Sequence, residues 1–210
     1  MARQISAMIS CLVVGLAFGL WAGSSPTLAL KLSAHRFSEE ALYQGQPVSY
    51  WIRQLEDRAP AFRQLAIQAL EQIGTKDEAV VPALAGMLKD GTPGVRIGAA
   101  IALRRLGREA RSAVPQLIAA FQDEDPYVRF NAVCALGSIG PDDEHVIASI
   151  SAALQDESSV VRRTTLNSLG AVGPRARSAL PAVREALKDS DPDVRQAAAL
   201  ALEKMASAEE

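Results

Sequence analysis

The sequence predicts an all-α fold, an α-solenoid of five two-helix repeats of 33 residues, and three observations carry that prediction. Arginine recurs at Arg63, Arg96, Arg129, Arg162 and Arg195, aspartate at Asp57, Asp90, Asp123, Asp156 and Asp189, and leucine at Leu70, Leu103, Leu136, Leu169 and Leu202, each column 33 residues apart. Gly74, Gly107, Gly140 and Gly173 close four copies and Ala206 the fifth, which sets repeats at 42–74, 75–107, 108–140, 141–173 and 174–206. A fixed period of this length marks stacked supersecondary units. Third, the chain is 49% apolar but only 5% aromatic and shows no strand-like alternation. Abundant Ala and Leu suit helices that approach closely.

The N-terminus is of another kind. Arg3 precedes an apolar stretch from Met8 to Ala22, then Gly23, Ser24, Ser25 and Pro26 break any helix, and Thr27, Leu28 and Ala29 surround a cleavage point. Residues 1–29 therefore read as a secretory signal peptide, with an uncleaved N-terminal anchor as the alternative. The expected destination is the periplasm or cell envelope, with no membrane span in the mature chain. Residues 30–41 form a leader that partly covers the first repeat, and residues 207–210 a C-terminal tail. Cleavage removes one base and no acid from a chain of net charge −2, leaving about −3. This bulk charge does not favour a polyanion partner. Cys134 would be the one cysteine left, so packing rather than a disulfide must stabilise the fold, and it reads as a small core residue.

Within each repeat two apolar patterns follow helical spacing. The first helix carries the columns of Val48, Trp51 and Leu55, at i, i+3 and i+7; the second carries those of Phe62, Ala66 and Leu70. Pro126 and Pro192 follow Asp125 and Asp191, and Pro93 follows Thr92, so each pair predicts an N-cap followed by proline at the first helical position. Pro82, Pro115 and Pro181 recur early in the first helices, with Ser112 and Ser178 as expected caps. The aspartate and arginine columns predict a structural ladder, in which each guanidinium meets its own repeat's aspartate and a neighbour's.

The pattern Leu-x-Asp-x-x-Pro-x-Val-Arg-x-x-Ala-x-x-Ala-Leu-x-x-Ile-Gly, read from Leu154, Leu187 and their equivalents, resembles the HEAT repeat, in particular the short HEAT-like class named after phycobilisome lyases. The segment from Tyr43 to Asp57 looks like the atypical first repeat of exported bacterial arrays. The resemblance implies a right-handed superhelix acting as a protein-binding scaffold or adaptor. It also brings enzyme alternatives, because folds do not fix functions. Deoxyhypusine hydroxylase, a HEAT-like enzyme, holds two irons with His-Glu pairs; here only His35 and His145 are present, and neither is followed by Glu. His145 reads instead as a helix start. A bilin lyase-like or oxidoreductase-associated accessory subunit is the remaining alternative. No catalytic set, metal site or cofactor is expected.

Arg104, Arg105, Arg108 and Arg111 cluster at one inter-repeat turn, but without interleaved aromatics they do not read as a nucleic-acid site. Protein binding is better supported. In such arrays the second helices line the concave face, where differences between repeats write specificity. There the apolar residues crowd the middle repeats. Ile97, Ile101, Tyr127 and Phe130 form the expected partner-binding patch, with Arg104 and Arg163 at its rim and Gly137 and Gly170 leaving a notch. At the far end Arg184, Lys188, Gln196 and Glu203 offer a polar face, or that end stacks on another protein or a second copy.

Overall fold

The computed structural model describes residues 42–206, and within them the chain is a solenoid of five helix pairs. The first helices are α1 (Val48–Gln54), α3 (Val80–Gly86), α5 (Val114–Ala119), α7 (Glu144–Ala152) and α9 (Leu180–Glu185). The second are α2 (Pro60–Ile73), α4 (Pro93–Leu106), α6 (Pro126–Ile139), α8 (Ser159–Val172) and α10 (Pro192–Ala206). The signal, leader and tail segments lie outside the described residues.

The second helices pack side by side along their length and form the tight layer of the array; successive first helices touch one another more sparsely. Both expected stripes are largely buried: Trp51, Leu84, Leu117, Ile150 and Val183 on one side, Ala66, Ala99, Ala132, Thr165 and Ala198 on the other. Two members are not. Phe62 is 54% exposed and Leu187 41%, because each lacks a described repeat beyond it.

Local structure departs from expectation at several places. Leu42–Tyr43 (β1) pairs antiparallel with Gln46–Pro47 (β2) through Gln44 and Gly45, both at positive φ, as a two-residue hairpin turn requires. Trp51 pins this hairpin, donating Nε1–H to the Tyr43 carbonyl at 3.3 Å and meeting the Tyr43 ring edge-on. Asp125 and Asp191 cap α6 and α10 as predicted, accepting the N–H of Tyr127 and Asp193. Thr92 does not cap α4, since its hydroxyl accepts from Arg63 instead. Ser112 and Ser178 cap nothing either; they lie inside 3-10 turns (Gly107–Ala113 and Gly173–Ala179) that run directly into α5 and α9. Cap of α7 is Asp143, which accepts the His145 N–H, so His145 sits just inside the helix rather than before it.

Gly170 proves to be a packing residue, not part of a notch. It is buried, and a Cβ there would stand 3.1 Å from the Cα of Ala201, so α8 and α10 meet backbone to backbone. Gly170→Ala gains up to about 1 kcal/mol of helix propensity but incurs an overpacking cost of about 1–3 kcal/mol. The expected net is a loss of about 1 kcal/mol, read as a lower urea midpoint. Gly86→Ala, facing open space, should raise that midpoint slightly.

Candidate partner-binding face

Each turn between paired helices is built in the same way. The aspartate carboxylate accepts the N–H two residues on, from Ala59, Thr92, Asp125, Ser158 and Asp191 in the five repeats. That bond closes the turn and aims the rest of the carboxylate at the preceding repeat. There the arginine arrives. Arg63, Arg96, Arg129 and Arg162 place Nε 2.7 Å from the carboxylates of Asp90, Asp123, Asp156 and Asp189. The Arg96 contact is ionic rather than hydrogen-bonded at Nε, because its alignment is poor, but its second nitrogen donates to Asp123 at 2.8 Å. The ladder thus runs strictly from each arginine to the next repeat's carboxylate. Each arginine meets its own aspartate only through the backbone, as when Arg129 donates to the Asp123 carbonyl at 2.8 Å.

The rungs stop at the ends. Among the described residues, Arg195 is exposed and donates to the carbonyls of Asp189 and Ser190 and to no carboxylate, while the Asp57 carboxylate receives no arginine. The charges respond to this geometry. Burial acts to raise the Asp90 carboxyl, but hydrogen bonds from Arg63 and from the N–H and hydroxyl of Thr92 outweigh it and hold the group below the usual carboxylate range. For Asp189 the hydrogen bond from Arg162 dominates over burial and gives the same direction.

The outer face of the second-helix layer holds the other predicted residues. Ile97, Ile101, Arg104 and Phe130 are half-buried, Tyr127 is 63% exposed, and Arg163 is exposed. None of the six is part of the closed core. Val160, passed over in the sequence reading although it shares Tyr127's column, is 40% exposed and extends the apolar strip. Contacts between neighbouring helices fix how columns meet. Arg163 reaches Asp193 at 3.3 Å, and the Cβ position of Gly94 lies 3.2 Å from Gln64 Nε2. By repeat equivalence Ile97 stands against Tyr127 and Phe130 against Val160. The strip therefore crosses three repeats, and Arg163 is tied to Asp193 rather than left free at the rim.

The arginine cluster divides. Arg105 pairs with Glu71 at 2.7 Å and Arg108 with Asp142, both side chains exposed, and Arg111 is exposed. Arg104 lies on the second-helix face instead, where its positive charge acts on the Cys134 thiol. Burial raises the pKa of that thiol and Arg104 only partly offsets it, so Cys134 is a protonated, half-buried side chain. Among the described residues no group of three or more His, Cys, Asp or Glu side chains is placed to hold a metal ion. No described helix is long and apolar enough to cross a membrane.

The profile of the HEAT-repeat family matches residues 48–111 and 147–210. The chain is a HEAT-repeat protein. Among solved structures this HEAT array is similar to the complex of CpcE and CpcF of phycocyanin lyase from Nostoc sp. PCC7120. The identity is 27%, the match covers 77% of this chain and 65% of that one, and the TM-score is 0.62. Its repeats are thus of the phycobilisome-lyase type, and it spans about two thirds of that relative's length. A designed armadillo repeat protein in complex with the peptide (KR)4 shares the fold at 18% identity, 75% and 81% coverage and a TM-score of 0.57. An engineered protein does so at 21%, 75% and 78%, and 0.53. No curated protein matches.

Proposed function

We propose that this HEAT array is a protein-binding scaffold or adaptor of the cell envelope, which holds an apolar segment of a partner on the concave face of its second helices. The observation that carries the reading is the strip of Ile97, Ile101, Tyr127, Phe130 and Val160, apolar, accessible and contributed by three successive repeats. Contiguous exposed apolar surface rimmed by polar residues is characteristic of sites that meet a partner. Tight packing of the second helices against sparser contact between the first supports curvature toward that face. The signal-like segment from Met8 to Ala22 supports export.

The test is a photo-reactive phenylalanine at position 127 in cells, alone and combined with Ile97→Glu and Phe130→Glu. One defined polypeptide should cross-link to the first protein and disappear from the second, while the helical circular dichroism of both is unchanged. Loss of the helical signal in the double variant, or cross-links that survive it, would overturn the reading.

A second reading, an accessory or lyase-like subunit, is favoured by the 27% identity to the phycocyanin lyase complex. It predicts a visible absorbance band when the protein is purified from cells that make bilins, and no band would sink it.

A further inference from the structure

We propose that the segment held on this face is acidic as well as apolar: its aliphatic or aromatic side chains cover Ile97, Ile101 and Phe130, and a carboxylate on it pairs with Arg104. The inference rests on the scaffold reading and adds the chemistry of the partner.

Arg104 differs from the other arginines of this region. Arg105 has Glu71, Arg108 and Arg175 share Asp142, and Arg163 has Asp193, all with exposed guanidinium groups. The four ladder arginines are buried or nearly so, and each has a carboxylate. Arg104 is half-buried and shares a helix face with Ile97 and Ile101, yet no described carboxylate lies within ion-pair distance of it. A partly desolvated charge without a counter-charge is unfavourable. A carboxylate brought by a partner would relieve that cost with a bidentate, charge-assisted pair, and the apolar strip beside it would exclude water from the contact. With Arg105 and Arg108 already matched by Glu71 and Asp142, the unmatched charge on this face is that of Arg104, which repels a basic segment and draws in an acidic one.

The probes are fluorescein-labelled, acetylated octapeptides carrying two Leu or Phe and a single Glu, Gln or Lys at each position in turn, titrated by fluorescence polarisation against the full chain. The best Glu peptide should bind about ten-fold more tightly than its Gln counterpart, a difference of about 1.4 kcal/mol, with Lys weakest. Arg104→Gln should erase that preference, Arg104→Lys should keep part of it, and added salt should reduce it in the wild type. Equal binding of Glu and Gln peptides, a preference that persists in Arg104→Gln, or no binding by any peptide would overturn the proposal. Failure here is distinguishable from failure of the scaffold reading. Peptides that bind without regard to charge and are lost with Ile97→Glu, Phe130→Glu would leave the apolar face standing and remove only the acidic partner.

Discussion

Arg129→Ala should unfold at a temperature about 10 °C below wild type, the largest change expected from deleting a single charge of the ladder. The Arg129 side chain is 7% exposed and its guanidinium makes five hydrogen bonds: two to Asp156, one to Glu157, and one each to the carbonyls of Asp123 and Glu124. Its removal strands the Asp156 carboxylate, 10% exposed, with only the Ser158 N–H. Breaking a buried pair from one side costs about 3–5 kcal/mol, and in a domain of this size each kcal/mol moves Tm by roughly 2–4 °C. Arg195→Ala is the internal control. It stands in the same column but pairs with no described carboxylate and is exposed, so its effect should stay within about 0.5 kcal/mol. Removing Asp156 together with Arg129 should restore part of the loss, because no unpaired charge then remains. A wild-type melting curve for Arg129→Ala would show that the rung is solvated and contributes little.

The repeat was legible because translation along a solenoid makes every structural requirement recur at one spacing. Buried Leu136 and Ala132 had to have equivalents 33 residues away, and they do. The same regularity explains what was not legible. Asp123 and Asp156 both keep a fixed distance from Arg129, so the period alone cannot say which carboxylate the guanidinium meets. The structure decides it through the turn: the Asp123 carboxylate is engaged by the Asp125 N–H and by Arg96, and it offers Arg129 only its carbonyl. Ser112 and Ser178 recur in register yet do not cap, because the Ala-containing segments around them keep coiling as 3-10 turns. The β1–β2 hairpin escaped notice since two-residue strands carry no alternation; Gln44-Gly45 was its one signal.

The face was harder to read than the frame, for a related reason. Column reasoning assumes every repeat has neighbours on both sides, and it fails at Phe62 and Leu187, which are exposed at the two ends. It also treats residues in one column as alike. Arg104 and Gly170 share a column, but Gly170 lets α10 approach to van der Waals contact while Arg104 puts a half-buried charge at the same place on α4. Which exposed position carries unpaired charge is a property of side-chain direction, and that appears only when neighbouring helices are in place.

Acidification should dismantle the array through the same rungs. Asp90 and Asp189 both titrate below the ordinary carboxylate range in the folded chain, and a depressed folded pKa means that the ionised group is stabilised by folding. Their contribution is complete above the unfolded value, about 3.9, and is lost as pH falls through the folded values. Unfolding free energy from urea titrations should therefore be nearly flat from about pH 8 to 5 and drop steeply below about pH 4. Asp90→Asn isolates one rung. It keeps an acceptor for the Thr92 N–H but cannot hold a charge opposite Arg63, so it should be less stable than wild type at pH 7 and converge with it at low pH. Parallel pH profiles for the two proteins, offset by a constant, would mean that acid unfolding comes from groups outside the ladder. Convergence would assign it to the charge that each repeat presents to the one before it.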